Sequence, residues 1–237
     1  MVTWSKRGGV RPEAGMRPFV APTTLTKVDF TDLTPDPLAF LGQAATIQLE
    51  AFEALARAVI EAPTFADKEG LSAAAGVALR KHHALIAELR REGVEPVSMM
   101  EPFASGAERF REVIAGSTWH ELLLGIHVAT GFLDEFFVRL SGGLPTELAG
   151  RVRGILSEAG AGPVLAGILQ SSIAAQPGLA DRLALWGRSI VGDCLLVARS
   201  ALREAERPSH VHDEAEPVFT ELIAEHTRRM DALGLTA

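Results

Sequence analysis

The chain has 237 residues, of which 47% are hydrophobic and 22% are charged, and its formal net charge is −7. This length and composition are typical of a globular protein with a well-filled core. The negative charge disfavours broad, non-specific attraction to nucleic acid or to anionic lipid.

Residues 1–35 are predicted to form a loosely held N-terminal arm, ahead of a single helical domain over residues 36–237. The arm combines basic residues with glycines and with prolines that block a continuous helix, namely Pro12, Pro18 and Pro22. Chain termini of this kind are usually solvated. The alternative is a strap that lies over the domain and is anchored by Trp4, Phe19 and Phe30.

A first helix is predicted from Asp36 to about Ala62. Asp36 is a good N-cap, Pro37 suits the first turn, and Pro63 ends the helix. Gln48 is the polar residue in the middle of its apolar stripe. The acidic residues of this helix share another face, and we expect them to be solvated: Glu50, Glu53 and Glu61.

A second helix is predicted over residues 67–92, before a Gly and a Pro that stop it. Its apolar stripe contains Ala78 and His82, and Lys81 lies one step to the side. A charged residue this close to the apolar face is the feature of this helix that needs an explanation.

A third helix is predicted over residues 117–140, after a connection that holds one short turn near residues 108–114. Thr130 lies among its inward apolar residues. The polar position is again near the middle of the helix, as it is in the first two helices.

A fourth helix is predicted over residues 146–175, with Glu158 beside its apolar stripe and a kink at Pro163. Two more amphipathic helices are predicted over residues 179–206 and 213–233. Strand-like alternation and glycine-rich phosphate loops are absent from the sequence. The predicted fold class is therefore all-α.

Four long helices with a polar position in mid-stripe, followed by two more, resemble actinobacterial ferritin-like proteins grouped with the tRNA 2-methylthio-isopentenyladenosine hydroxylases. The resemblance is carried by residues 62–68, 182–188 and 226–235. It implies a ferritin-like four-helix bundle over residues 36–176, with two additional C-terminal helices packed on its outside over residues 179–233.

In such a bundle, a carboxylate from each of two helices and a Glu-x-x-His pair from each of the other two hold two irons. The family pattern falls on six positions of this chain: Gln48, Ala78, Lys81, Thr130, Glu158 and Ala161. Only one of these positions, Glu158, holds the residue type that the family pattern uses as a metal ligand. The resemblance therefore implies a vestigial site, no cofactor, and a metal-free binding or scaffolding protein.

The alternative is a di-iron hydroxylase or oxidase whose non-standard site uses Glu158 and His82, together with Glu50, Glu53 or Asp134. His82 follows the family's ligand position by one residue, which rotates a helical side chain by about 100°. We therefore expect His82 to be a core histidine with a satisfied hydrogen bond. No catalytic residue is predicted from the sequence.

Loss of iron from a ring of carboxylates would leave buried negative charge, which must be neutralised. If Glu158 faces inward, Lys81 is its predicted partner, with Gln48, Thr130 and His82 around the pair. The alternative is that Lys81 extends to solvent and Glu158 turns outward.

Other classes of function find little support in the sequence. The single cysteine, Cys194, excludes a disulfide framework and is expected to be an inert buried thiol. No stretch approaches the roughly 20 apolar residues of a membrane span, and the N-terminus lacks a signal-peptide core. We expect a cytoplasmic protein without membrane or nucleic-acid partners, and we leave a homodimer open.

Overall fold

A computed structural model describes residue 30 and residues 33–202 and 208–235. The predicted anchors Trp4 and Phe19 lie outside these residues. Within the described ranges all regular structure is helical, which confirms the all-α class. None of the helices in these ranges is both long enough and apolar enough to span a membrane.

Nine α-helices lie in the described residues. In chain order they are α1 (Pro37–Glu61), α2 (Phe65–Arg91), α3 (Pro96–Met100), α4 (Ala104–Ala115), α5 (Trp119–Leu140), α6 (Thr146–Leu156), α7 (Gly162–Ala175), α8 (Leu179–Ser200) and α9 (Pro208–Ala232).

Side-chain caps set the starts of the long helices. Asp36 accepts hydrogen bonds from two backbone N–H groups in the first turn of α1. At the start of α2, the Thr64 side chain accepts one hydrogen bond, from the backbone N–H of Asp67. Thr118 and Glu121 form a reciprocal capping box at the start of α5. These bonds satisfy N–H groups that a helix leaves unpaired at its first turn.

The bundle has four helical positions arranged in a ring, and the fourth is shared by two shorter helices. Helix α1 packs against α2 and α5, while α6 and α7 together fill the fourth position between α2 and α5. Helices α8 and α9 pack on α5 from outside the ring. Their apolar side chains belong to the same hydrophobic core, a single cluster of buried residues whose first member is Leu33 and whose last is Leu235.

The fourth predicted helix is two helices, so a single kinked helix over residues 146–175 is wrong. Residues 157–161 are not helical, and Pro163 lies in the first turn of α7 rather than at a kink. Gly160 and Gly162 favour non-helical backbone, and Pro163 has no N–H to continue a helix from α6. The chain therefore ends one helix and starts another.

The connection between α2 and α5 is more structured than predicted. A 12-residue helix, α4, replaces the single short turn. It buries Ala107, Phe110 and Ile114, which recur at helical spacing on one side. This amphipathic face packs α4 against α1, α5 and α8.

Candidate functional site

Lys81 lies at the centre of the bundle and is buried, with its side chain 2% exposed. Its ammonium Nζ donates to Oδ2 of Asp134 on α5 at 2.7 Å and to the carbonyl oxygen of Leu156 at 3.0 Å. Leu156 is the last residue of α6, where carbonyl groups lack partners within the helix and the helix dipole is negative. The ammonium therefore joins a side chain of α5 to the end of α6.

The second oxygen of Asp134 is also held. Gln48 on α1 donates from Nε2 to Oδ1 of Asp134 at 2.6 Å. The carboxylate thus accepts one hydrogen bond from an amide and one from an ammonium, and its charge is balanced by Lys81. All four positions of the bundle meet at this cluster, which we call the Lys81 cluster: Gln48, Lys81, Asp134 and the Leu156 carbonyl.

The break between α6 and α7 passes close to the ammonium. A Cβ atom placed on Gly160 would lie 3.6 Å from Nζ of Lys81. This approach encloses the ammonium and leaves the Leu156 carbonyl free to accept its hydrogen bond. The break in the fourth helix is therefore part of the cluster.

Glu158 is not the partner of Lys81, so the predicted Lys81–Glu158 pair is wrong. Its side chain is 42% exposed and accepts from Nη2 of Arg80 at 2.8 Å. Glu158 belongs to the break rather than to a helix, and the chain there turns the side chain outward. Lys81 is buried, but with a different acid.

The acid that faces Lys81 from α5 comes one turn after the predicted position. Thr130 donates its hydroxyl to the carbonyl oxygen of Ile126 in its own helix at 2.7 Å, and it contributes no hydrogen bond to the cluster. Asp134 follows Thr130 by four residues, so both lie on one face of α5. Asp134 entered the sequence analysis only as an acid of the alternative di-iron site.

His82 is a core histidine, as predicted. Its Nδ1 lies 2.9 Å from the carbonyl oxygen of Ala45 on α1, so this nitrogen carries the proton and donates. Burial lowers the pKa of His82 below its usual value, while the bond to Ala45 opposes that effect. Ala78 and Ala161, on which the family's ligand pattern is predicted to fall, are buried and offer only methyl groups.

The Lys81 cluster does not fit a di-iron centre. Two irons need four carboxylates and two imidazoles, whereas the cluster offers one carboxylate, one amide and a protonated amine. Among the described residues, no three His, Cys, Asp or Glu side chains are grouped as a metal ion requires.

The other acids named for the alternative site lie elsewhere. Glu50 is buried, contrary to the expectation that it is solvated, and Arg111 binds both of its oxygens at 2.8 and 2.9 Å. Glu53 lies 3.6 Å from the same guanidinium. These carboxylates face α4, away from Asp134.

A second buried polar group lies between α5 and α9. His127 and His226 are both buried, and the Nδ1 atom of each has no hydrogen-bond partner among the described residues. Arg229 lies beside them and bonds to Glu135 at 2.7 Å. Burial, aided by the positive charge of Arg229, lowers the pKa of His127 from 6.5 to about 4. No sequence motif connects the members of this group, so their meeting could not be predicted.

Cys194 is fully buried in α8. Burial, with a smaller effect of the neighbouring Asp193, raises the pKa of its thiol to about 12. The predicted burial is confirmed, and because the thiolate is the reactive form, the raised pKa disfavours reaction at this thiol.

A family model described as a ferritin-like domain of actinomycetes matches residues 36–211. The match covers α1 to α8 and the Lys81 cluster. No curated protein matches the chain.

Proposed function

Because the chain belongs to the family of ferritin-like domains of actinomycetes, we propose that it is a metal-free member, which keeps the bundle for binding or scaffolding. In this proposal the Lys81 cluster replaces a di-iron centre. An organic cation and one carboxylate then supply the polar contacts that metal ions and their ligands supply in di-iron bundles.

The observation that carries the proposal is the buried ammonium of Lys81, bonded to Asp134 at 2.7 Å. At 4 Å, with an effective dielectric constant near 20, two unit charges repel by about 4 kcal/mol. A divalent ion beside Lys81 would meet roughly twice that repulsion, with one carboxylate to offset it. A protonated amine also has no lone pair to donate to a metal.

Ancestry is a second part of the proposal. We propose that the chain descends from proteins like the tRNA 2-methylthio-isopentenyladenosine hydroxylases. The support is the likeness of residues 62–68, 182–188 and 226–235 to that group. The first two runs lie inside the matched range of the family model, and the third lies entirely beyond it.

Iron analysis tests the proposal. The chain is purified from iron-replete cells without chelators, and iron, manganese and zinc are measured by mass spectrometry against protein concentration. We expect far less than one metal ion per chain. About two irons per chain, the content of a di-iron bundle, would overturn the proposal.

A cobalt titration provides an independent test. Co²⁺ bound by nitrogen and oxygen ligands gives visible absorption bands, and the Lys81→His variant removes the ammonium in favour of an imidazole. We expect the native chain to add no bands to the weak absorption of aqueous Co²⁺. Bands of similar intensity in the native chain and in Lys81→His would mean that the ammonium does not exclude metal.

A further inference from the structure

A cavity of about 420 Å³ lies between α1, α4 and α8, on the outside of the bundle. Its floor is formed by α1, through Gln43, Ile47 and Glu50, and its walls by α4 and α8. A cavity of this size holds a small organic molecule.

The floor offers a free amide. Gln43 is 6% exposed and lines the cavity, and its side chain has no hydrogen-bond partner within the described part of the chain. The amide is not sealed from solvent, so a polar group in the cavity can bond to it in place of water. Glu50, beside it, has both oxygens bound by Arg111 and is neutralised.

The walls are largely apolar. Phe103, Phe110 and Val113 of the α4 region face Val197 and Leu196 of α8 across the cavity. Leu196 is 64% exposed, although a large aliphatic side chain is stabilised by removal from water. An apolar body placed between these walls would bury surface on both sides.

The rim carries unbalanced negative charge. Asp193 and Glu112 line the cavity, against one base, Arg109, and none of the three forms an ion pair with another described residue. Asp193 is partly buried, whereas Glu112 and Arg109 are exposed. A partly buried carboxylate interacts more strongly with a ligand charge than an exposed one does, because water screens it less.

We infer that this cavity binds a small molecule with an apolar body and one protonated amine. The apolar part lies between α4 and α8, the ammonium lies beside Asp193, and Gln43 bonds to a polar group at the floor. Anionic ligands are disfavoured by the two acids at the rim.

This inference deepens the binding role proposed above but uses other residues. Gln48 and Glu50 are two positions apart, so their side chains leave α1 in directions about 200° apart. The cavity and the Lys81 cluster therefore lie on different faces of α1. Metal analysis tests the cluster and ligand titration tests the cavity, so a failure of one is distinguished from a failure of the other.

Three matched probes test the inference: 2-(1-naphthyl)ethylamine, 2-(1-naphthyl)ethanol and 1-naphthylacetate. They share an aromatic body and differ in charge, and binding to the full chain is measured by calorimetry at pH 7. We expect the amine to bind about tenfold more tightly than the alcohol, and the carboxylate to bind least. Equal affinities, or no binding of the amine at millimolar concentration, would overturn the inference.

Variants locate the site. Asp193→Asn is expected to lower the affinity for the amine about tenfold and to leave the affinity for the alcohol unchanged. Asp181→Asn, on the first turn of the same helix and away from the cavity, is the matched control and is expected to change neither. Equal effects of the two variants would contradict the assignment of the ammonium to Asp193.

A third variant tests the cavity itself. Val113→Trp is designed to fill the space between α4 and α8, and it is expected to abolish binding of both amine and alcohol. Its melting temperature is measured alongside. Unchanged binding by a folded Val113→Trp chain would mean that the probes bind elsewhere.

Discussion

Lys81 and Asp134 form an ion pair that joins α2 to α5 through the middle of the bundle, with 2.7 Å between Nζ and Oδ2. Lys81 is 2% exposed, while Asp134 is 22% exposed. Removing one partner of such a pair leaves the other charge uncompensated, which costs more than the pair itself contributes. The energetic role of the pair can therefore be measured by removing one partner and then both.

Lys81→Met is expected to lower the free energy of unfolding by about 3 kcal/mol, near the lower end for buried pairs because water reaches Asp134. Lys81→Met combined with Asp134→Leu is expected to recover most of that loss. Urea unfolding of the two single variants and the double variant measures the coupling.

The control for this double-mutant cycle of Lys81 and Asp134 is Arg80→Met, next to Lys81 on α2. Arg80 and its partner Glu158 are both exposed, so this change is expected to cost less than about 1 kcal/mol. Additive losses in the Lys81 and Asp134 double variant would contradict a direct interaction between the two side chains.

Stability is expected to fall as the pH is lowered from 6.5 to 4. The pKa of His127 is about 4 in the folded chain and 6.5 ordinarily, so the unfolded chain takes up the proton first. The contribution of neutral His127 to the free energy of unfolding is complete above pH 6.5 and is lost as the pH falls from 6.5 to 4. A shift of this size corresponds to about 3 kcal/mol. Burial also lowers the pKa of His226, which acts in the same direction.

Urea midpoints between pH 7.5 and 4 measure this dependence for the native chain and for His127→Gln. The charged groups that face His127 are Arg229 and His226 on α9, with Glu135 bound to Arg229. The variant is expected to flatten the pH dependence, whereas His83→Gln, at an exposed position, is expected to leave it unchanged. The same pH dependence in the native chain and in His127→Gln would refute the assignment to His127.

Strong chelators are expected to leave the melting temperature unchanged. If the proposed metal-free state is the native one, no bound ion stabilises the folded chain through mass action. The measurement is a melting curve with and without millimolar EDTA. A decrease of several degrees would show that a metal ion binds the folded chain.

Gly42→Ala is expected to destabilise the chain by about 1–3 kcal/mol, because an added Cβ on α1 would lie 2.2 Å from the backbone carbonyl oxygen of Met99 on α3. Gly150→Ala is the matched control. Gly150 lies in α6 with nothing within 4 Å of an added Cβ, so alanine is expected to stabilise the helix by about 0.5–1 kcal/mol. Equal effects in thermal unfolding would mean that α3 can move away from α1.

The long helices were predictable because caps and prolines mark their ends. Asp36 and Pro37 start α1, and Thr64 starts α2 just after Pro63. Helical periodicity could not choose between Thr130 and Asp134, since residues four apart share a face. Their chemistry decides: the Thr130 hydroxyl bonds to its own helix, whereas the Asp134 carboxylate needs donors from other helices.

The partner of Lys81 could not be predicted, because it depends on the break between α6 and α7. Sequence reasoning treated residues 146–175 as one helix, which would keep Glu158 near the inward face. The glycines and the proline at positions 160, 162 and 163 indicate a break, but not the direction in which the chain turns. In the structure Gly160 packs against the Lys81 ammonium, and Glu158 is turned outward to Arg80.

If the chain descends from a di-iron protein, as proposed, the break between α6 and α7 also makes the loss of a Glu-x-x-His pair difficult to reverse. On a continuous helix, positions 158 and 161 would project from one face, and a single substitution at Ala161 would rebuild the pair. Here those positions lie outside helical backbone, so the glycines and Pro163 would have to change as well. In a continuous helix through this segment, the Leu156 carbonyl would accept from a backbone N–H and would be lost to Lys81. A substitution that restored the helix would therefore remove a hydrogen bond of the buried ammonium and lower the stability of the bundle.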